Sequence, residues 1–418
     1  MNKTARLKYA CYSANVTMSA VGNLSPVLFL TFRSLYGISY SLLGLLVLIN
    51  FVTQLIIDLI FSFFSHKFNI GKTVKSIPLF GVVGFLIYAV WPFLAPDHVY
   101  LGLVIGTVIF SAASGLAEVL ISPVIAAIPS DDPDREMSKL HSVYAWGVVF
   151  VIAVSTVFLL FVGNEAWQWL ALIITLIPLT SAFLFFGSEI PPMETPKQTS
   201  GALKLLCHKG VWLSIFAIFL GGAAECTMAQ WCSGYLEMAL GIPKLWGDLC
   251  GVALFAVMLG LGRSLYAKIG KNIGKVLFFG AIGATLCYFT AAVSNFPPLG
   301  LLACACTGFC VSMLWPGNLI VASDRFPEGG VFIYAMMAAG GDLGASVGPQ
   351  LVGIVTDAVI ANPAAASLAE KLSLMPEQLG MKAGMLCGML FPLIGIFVYA
   401  RLRKNRTAAN ESGSSAKI

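Results

Sequence analysis

Long apolar runs recur along almost the whole chain, and they constrain its fold more than any other feature. A helix that crosses a bilayer needs about 20 apolar residues, and hydropathy predicts twelve such spans. Hydrophobic residues make up 58% of the 418 residues, and Asp, Glu, Lys and Arg only 11%, against about 25% in soluble domains. The composition therefore excludes a soluble enzyme and a disordered chain.

The predicted spans follow one another with short connections. They are Tyr9–Phe32, Ser41–Phe64, Ser76–Leu94, Val99–Ile128, Val143–Gly163, Trp167–Phe186, Val211–Tyr235, Leu245–Tyr266, Ile273–Val293, Leu299–Ala322, Val331–Ile360 and Met381–Tyr399. The longest polar connection, residues 187–210, lies near the middle of the chain. We interpret it as a cytoplasmic linker between an N-terminal six-helix bundle (residues 1–186) and a C-terminal six-helix bundle with a short cytoplasmic tail (residues 211–418).

Basic residues predict the orientation of these spans, because cytoplasmic loops carry an excess of Lys and Arg. With the N-terminus inside, most of the 25 Lys and Arg fall in cytoplasmic segments. The exceptions are Arg33, Lys244, Lys371 and Lys382 outside, and Arg263 within a span. This bias predicts an even number of spans in an inner or plasma membrane, with both termini cytoplasmic. The opposite side is called the outer side below.

Two short patterns repeat in the two halves. Gly115, Pro123 and Ser130-Asp131 recur 193 residues later as Gly308, Pro316 and Ser323-Asp324. The tripeptide Ile70-Gly71-Lys72 recurs 203 residues later as Ile273-Gly274-Lys275. Because both patterns fall at corresponding spans and loops, they predict two parallel six-helix repeats, which is one plan of secondary transporters.

Residues 62–72 and 262–271 resemble the G-x-x-x-D-R-x-G-R-R loop of the major facilitator superfamily. Both segments keep basic residues, Lys67 and Lys72 in the first and Arg263 and Lys268 in the second, but both lack the acid. The resemblance covers essentially the whole chain. It implies an all-α polytopic membrane protein with 12 transmembrane helices in two pseudo-symmetric six-helix bundles. In the superfamily this loop helps to close the cytoplasmic side, so these four basic residues are the gating candidates, and Arg263 is expected to be buried.

Within the superfamily, the chain is similar to the fucose permease-like sugar:proton symporters. The motifs that carry this likeness are Gly115-Leu116-Ala117-Glu118 with Ser122-Pro123, Gly222-Ala223-Ala224-Glu225 with Gln230-Trp231, Gly262-Arg263, and the run from Gly344 to Pro349. The chain departs from the fucose permease in the first span. There it has Asn23-Leu24-Ser25-Pro26, with proline in place of an acid.

Acids near span centres need a reason, because an ionised side chain at mid-bilayer costs about 2.5–3.5 kcal/mol or more. Glu118 is the candidate for the coupled proton, since Ser111, Gly115, Glu118 and Ser122 form one polar, small helical face suited to an aqueous cavity. The alternative is an acid that only pins its helix to a neighbour. Asp248 and Asp357 lie at outer ends, where we interpret them as solvated.

Solute contacts are predicted on several spans. Glu225, Gln230 and Trp231 combine polar groups with an aromatic ring, which suits a sugar, although an interhelical hydrogen bond would also explain Glu225. Asp342, in the glycine run 340–344 that we expect to be flexible, could contact solute or pair with another charge. Trp315 could stack on solute or fill the core. Asn23 and Asn318 complete the candidates.

The sequence thus favours a secondary transporter that moves a sugar or similar small polar solute by proton-coupled symport. A proton antiporter or an uncoupled facilitator for another metabolite or drug is the alternative, and a membrane sensor or enzyme is a remote one. No cofactor or metal is expected, since a proton gradient would be the driving force and no Walker A motif is present. The expected partners are the solute and the bilayer, without nucleic acid, for a monomer that is not an enzyme.

Overall fold

The computed structural model describes residues 3–64, 67–129, 133–191, 206–270, 272–326 and 330–415, and these ranges contain helices but no strands. The helices are α1 (Lys3–Val27 and Phe29–Tyr36), α2 (Tyr40–Phe64), α3 (Ile70–Leu94), α4 (Val99–Ala127), α5 (Pro133–Val162), α6 (Trp167–Ile174 and Leu176–Phe186), α7 (Lys209–Leu240), α8 (Lys244–Trp246, Gly247–Ala253 and Leu254–Ile269), α9 (Ile273–Val293), α10 (Pro297–Val311 and Pro316–Arg325), α11 (Gly330–Ile360) and α12 (Pro376–Ser415). A further helix, Pro363–Lys371, precedes α12.

The helices occur where the apolar runs predict them. Within the described ranges, ten helices are long and apolar enough to cross a membrane, and Trp146–Val162 in α5 is a shorter apolar helix. Several helices extend beyond the predicted spans. For example, α5 begins at Pro133 rather than Val143, and α7 ends at Leu240 rather than Tyr235. Hydropathy marks only the apolar part of a helix, so polar turns at helix ends are missed.

The helices form two compact units. The first unit contains the described residues of Met1–Thr199 together with Gln230–Glu237 and Ile242–Ala253. The second unit contains the described residues of Ser200–Ala229, Met238–Gly241 and Leu254–Ile418. Residues 230–237 of α7 and the part of α8 up to Ala253 therefore belong to the first unit, which a single cut in the linker would not predict. Most of the linker, residues 192–205, lies outside the described residues.

Each unit uses the repeated glycine in the same way. A Cβ added to Gly115 on α4 would lie 3.1 Å from the Cα of Gln54 on α2. A Cβ added to Gly308 on α10 would clash with the carbonyl oxygen of Phe255 on α8. Glycine therefore lets α4 approach α2 in the first unit and α10 approach α8 in the second. These two close contacts bring the polar side chains described below together.

The second repeat marks a helix start in each unit. The side chain of Asn69 accepts a hydrogen bond from the backbone N–H of Lys72 at 3.0 Å, and Asn272 accepts one from Lys275 at 3.1 Å. Asn is a preferred N-cap because its side-chain oxygen satisfies a free N–H of the first turn. The repeat therefore begins one residue earlier than Ile-Gly-Lys, at Asn69 and Asn272, and these two asparagines cap α3 and α9.

Candidate functional site

A polar seam connects α2 and α4 inside the first unit. Ser111 donates a hydrogen bond to Asn50 Oδ1 at 2.6 Å, and Ser114 donates one to Gln54 Oε1 at 2.8 Å. Gln54 also donates to Asn50 Oδ1 at 3.2 Å. All four side chains are buried. Such a satisfied network fixes the register of two helices, because leaving a buried polar group unpaired costs about 1–3 kcal/mol.

The seam ends in two carboxylates. Asp58 follows Gln54 by one turn of α2, Glu118 follows Ser114 by one turn of α4, and their carboxylate oxygens lie within 4.8 Å of each other. Asp58 is only 3% exposed, whereas Glu118 is partly buried. Two ionised carboxylates at this distance repel each other, and the repulsion is strong where water is scarce.

The predicted face of α4 is therefore not simply a cavity wall. Ser111 is fully buried and bonded to α2, and Gly115 packs on the α2 backbone. Of that face, only Glu118 and Ser122 keep partial exposure. The spacing of four residues between Asn50, Gln54 and Asp58 on α2 was a sequence signal for this seam, and it places Asp58 beside Glu118.

An ion pair connects α7 and α8 in the second unit. Arg263 donates from one nitrogen to both carboxylate oxygens of Glu225, at 3.0 and 3.3 Å. The Glu225 side chain is 14% exposed and the Arg263 side chain is 41% exposed. The prediction that Arg263 is buried is thus wrong. The guanidinium is partly accessible, and its partner is an acid of the same unit.

A proline explains the second contact of Arg263. Pro316 has no N–H, so it cannot form the helical hydrogen bond to the carbonyl of Ser312, four residues earlier. The helical part of α10 stops at Val311 and resumes at Pro316, and Arg263 Nε donates to the Ser312 carbonyl oxygen at 3.1 Å. One guanidinium therefore connects α7, α8 and the break in α10.

Trp315 lies at the same break. A Cβ added to Gly222 on α7 would lie 3.0 Å from the indole ring, and one added to Gly341 on α11 would lie 2.6 Å from it. The indole thus lies over two glycines, and the residue remains partly exposed. Glu225 is one turn from Gly222 and Ser312 is one turn from Trp315, so the ring and the Glu225–Arg263 pair occupy neighbouring positions in the second unit.

The glycine run on α11 is a packing surface rather than a flexible segment. Residues 340–344 are helical, a Cβ on Gly340 would lie 2.8 Å from Ile215, and one on Gly344 would clash with the backbone of Phe219. The expectation of flexibility is therefore wrong. Asp342 lies within this run and is 2% exposed, so the solute could reach it only after the surrounding helices move.

The remaining candidates on α7 and α1 lie elsewhere. Gln230 and Trp231 belong to the first unit, whereas Glu225 belongs to the second. Gln230 donates to the carbonyl oxygen of Gly22 at 3.2 Å, which Pro26 leaves without its helical partner. Asn23 donates to Ser19 O of its own helix at 2.8 Å.

Trp231 is part of an aromatic cluster. It is fully buried, and its ring centroid lies 5.1 Å from that of Phe29 and 6.1 Å from that of Tyr40. Its indole has no exposed face on which a solute could stack. Contacts with solute at Trp231 would therefore require this cluster to open.

Replacing Trp231 with Ala should destabilise the protein by about 3–5 kcal/mol, because it removes a large buried side chain and leaves a cavity. The Trp231→Phe variant should lose much less, since it keeps a ring against Phe29 and Tyr40. Thermal unfolding of the purified variants measures both effects. A Trp231→Ala protein that melts like the wild type but binds solute less tightly would restore Trp231 to the solute site.

Asn318 is a structural residue in this arrangement. It is 1% exposed, and its amide donates to Leu314 O at 2.6 Å, to Tyr399 Oη at 3.2 Å and to Ala217 O at 3.3 Å. It therefore ties α10 to α7 and α12, and a contact with solute is not available to it here.

Three of the gating candidates are exposed near helix ends that the sequence predicts to be cytoplasmic. Lys67, Lys72 and Lys268 are all exposed, and none forms a salt bridge with an acid among the described residues. Lys67 lies 5.0 Å above the ring of Phe64.

Arg6 forms hydrogen bonds at the C-terminal end of α6. It donates to Phe183 O at 2.7 Å and to Leu184 O at 3.0 Å. A cation is stabilising at this end of a helix, because the helix dipole is negative there.

The interpretation of Asp248 as solvated is wrong. Asp248 is fully buried and accepts a hydrogen bond from Thr156 Oγ1 at 2.8 Å. The sequence places it near an outer helix end, but helix packing covers it. Asp357, the other outer acid, is partly exposed.

A comparison with protein families matches residues 10–349 to the Major Facilitator Superfamily. The chain therefore belongs to this superfamily, and the resemblance seen in the sequence is confirmed. It is a multi-pass membrane transporter with the superfamily's all-α fold. No curated protein sequence matches the chain closely enough to count as a relative.

Solved structures share this fold at low sequence identity. A D-xylose–proton symporter has a TM-score of 0.71 with 16% identity, covering 94% of this chain and 97% of the other. A bacterial homologue of the human lysosomal transporter Spinster has 0.71 with 14% identity, covering 96% of both chains. The Escherichia coli fucose:proton symporter has 0.60 with 14% identity, covering 96% and 99%. At these identities the likeness shows the fold alone.

Proposed function

We propose that this transporter takes up a sugar or a similar small polyhydroxylated solute by proton-coupled symport. The observation that carries the proposal is the Asp58–Glu118 pair, two carboxylates within 4.8 Å of each other at the end of a buried seam. A proton on this pair relieves the repulsion, and its loss restores two charges that need water or a cation. A change in water access would therefore change proton affinity, which is the property that a coupling site needs.

The solute site in this proposal lies in the second unit. Glu225 and Arg263 offer an acceptor and a donor beside each other, and the partly exposed indole of Trp315 offers an apolar face. Sugars present hydroxyl groups around their edge and C–H groups on their faces, and pockets that bind such ligands combine aromatic surface with a few polar groups. Asn23 is a secondary candidate, and so is Asp342, which is buried and would need rearrangement to reach the solute.

The likeness to a fucose:proton and a D-xylose–proton symporter supports this class of solute. A nucleoside transporter shares the fold equally well, with a TM-score of 0.68, so nucleosides belong among the ligands to test. The distribution of basic residues supports an inner or plasma membrane location with both termini cytoplasmic, where the protein would act as a monomer without a cofactor.

Uptake into proteoliposomes tests the function. Vesicles with an alkaline interior are placed in acidic medium with radiolabelled fucose, D-xylose or uridine, and matched vesicles carry no pH gradient. Symport predicts accumulation of one of these solutes above equilibrium only with the gradient. An antiporter would instead accumulate its solute when the interior is acidic, and a facilitator would equilibrate it under every condition. Either result would refute the proposed coupling.

Trp315→Ala should weaken solute binding by about tenfold or more, since stacking area on a solute is lost without a replacement contact. Trp315→Phe should recover part of the affinity. Trp169→Ala removes an indole that is 59% exposed on α6 of the first unit, so it serves as the control and should bind normally. Titration of the three purified variants with the transported solute measures the difference, and equal affinities would exclude Trp315 from the site.

A further inference from the structure

The outer ends of α5, α7 and α8 meet at a buried acid. Asp248, on α8, is fully buried. It accepts hydrogen bonds from Thr156 on α5 at 2.8 Å and from Ser233 on α7. Its charged contact is Lys244, whose Nζ lies 3.4 Å from Asp248 Oδ2. A buried carboxylate with three partners is well satisfied, and loss of the charge partner would leave an uncompensated ion.

Lys244 extends the network to α1. Its Nζ also donates to the carbonyl oxygen of Val27 at 2.8 Å, and α1 is interrupted directly after this residue, at Leu28. Nearby, Gln230 occupies the carbonyl of Gly22 that Pro26 leaves free. Polar groups therefore attach these turns of α7 and α8 to α1 and α5, beside the aromatic contact of Trp231 with Phe29, and all of these residues belong to the first unit.

The same helices belong to the second unit along their inner parts. The division falls between Ala229 and Gln230 in α7, whose last residues from Met238 onwards again belong to the second unit, and between Ala253 and Leu254 in α8. In α8 the segment Gly247–Ala253 is a π-helix that ends at this division. Segments of π-helix are rare and often occur at functional sites. The backbone of α8 thus changes its hydrogen-bond pattern where its packing partners change.

We propose that Asp248 and Lys244 form an outer latch, which holds the outer turns of α7 and α8 on α1 and α5, and that the π-helical segment is its hinge. Alternating access requires the outer side to open once in each cycle. The attachment must then break and re-form, and polar contacts can exchange with water as they do so. The latch rests on transport by alternating access, but not on the identity of the solute or on proton coupling.

Double electron–electron resonance on the full-length protein tests the latch without solute or a pH gradient. Spin labels are attached at Asp97, in the loop between α3 and α4, and at Ala361, after α11, because both residues are exposed at predicted outer loops. Asp248→Asn removes the charge that holds Lys244. It should raise the ratio of long to short distances by about tenfold, which corresponds to 1.4 kcal/mol.

Glu165→Gln is the matched control, since Glu165 is an exposed acid in an outer loop, and it should leave the distances unchanged. Thr156→Val removes one hydrogen bond to Asp248 and should shift the ratio in the same direction by a smaller factor. It also carries the test if Asp248→Asn does not fold. A wild-type distance distribution in the folded Asp248→Asn protein, or in Thr156→Val in its place, would overturn the latch while leaving the proposed symport untouched.

Discussion

Replacing Glu118 with Gln is expected to abolish accumulation of solute against its gradient while solute exchange continues. The Gln side chain keeps the shape of Glu118 and most of its hydrogen bonding, but it cannot take up or release a proton. It also removes one of the two charges that repel each other in the pair with Asp58. The solute would then equilibrate across the membrane instead of being concentrated. Gradient-driven uptake and counterflow, measured on the same vesicles, separate the two activities.

Two further variants sharpen this result. Asp58→Asn should reproduce the defect at least in part, because the Asp58 carboxylate lies within 4.8 Å of that of Glu118. Ser111→Ala removes a hydrogen bond of the same seam without a titratable group, so it should lower stability by about 0.5–1.5 kcal/mol and leave coupling intact. Accumulation by Glu118→Gln at the wild-type level would exclude Glu118 as the proton carrier.

Replacing Arg263 with Ala should impair both binding and folding. The change leaves the Glu225 carboxylate without its partner and the Ser312 carbonyl without the donor that replaces the missing N–H of Pro316. Leaving a buried polar group without its partner lowers the free energy of unfolding by about 1–3 kcal/mol. Because Arg263 is exposed to solvent, the loss of the Glu225–Arg263 pair should cost an amount near the lower end of that range. Solute affinity should fall by about tenfold or more, because a donor in the solute site is removed.

A double-mutant cycle separates these effects. Glu225→Gln combined with Arg263→Ala should lose less stability than the sum of the two single changes, since residues in direct contact are coupled. Purified variants are compared by thermal unfolding and by solute titration. If Arg263→Ala binds and melts like the wild type, the ion pair has neither of the roles assigned to it.

The helical architecture could be predicted because membrane spans carry a strong apolar signal. The start of α2 at Tyr40 and the ends of α9 at Ile273 and Val293 lie within one residue of the predicted limits. The start of α5 could not be predicted in this way, because its first turns are polar. The equivalence of Gly115 and Gly308 could also be predicted from the sequence, because both repeats have a glycine at the position where two helices come into close contact.

The site could be predicted only in part, because hydropathy indicates depth along a helix but not the neighbour that a side chain faces. Glu118 was identified from its depth, but its partner Asp58 depends on the register between α2 and α4. The same limit explains Asp248, which is near a helix end and yet buried, and Arg263, which is inside a span and yet partly exposed. Trp231 was predicted at a solute site because aromatic rings suit both sugars and buried clusters.

Solute-induced proton movement tests the central claim most directly. Wild-type and Glu118→Gln proteoliposomes are placed in weakly buffered medium, the transported solute is added outside, and the external pH is recorded. Symport through the Asp58–Glu118 pair predicts that the medium becomes more alkaline with the wild type, because protons enter with the solute, and that the pH stays constant with Glu118→Gln. Solute entry into wild-type vesicles without a pH change, or an equal change with Glu118→Gln, would contradict the account.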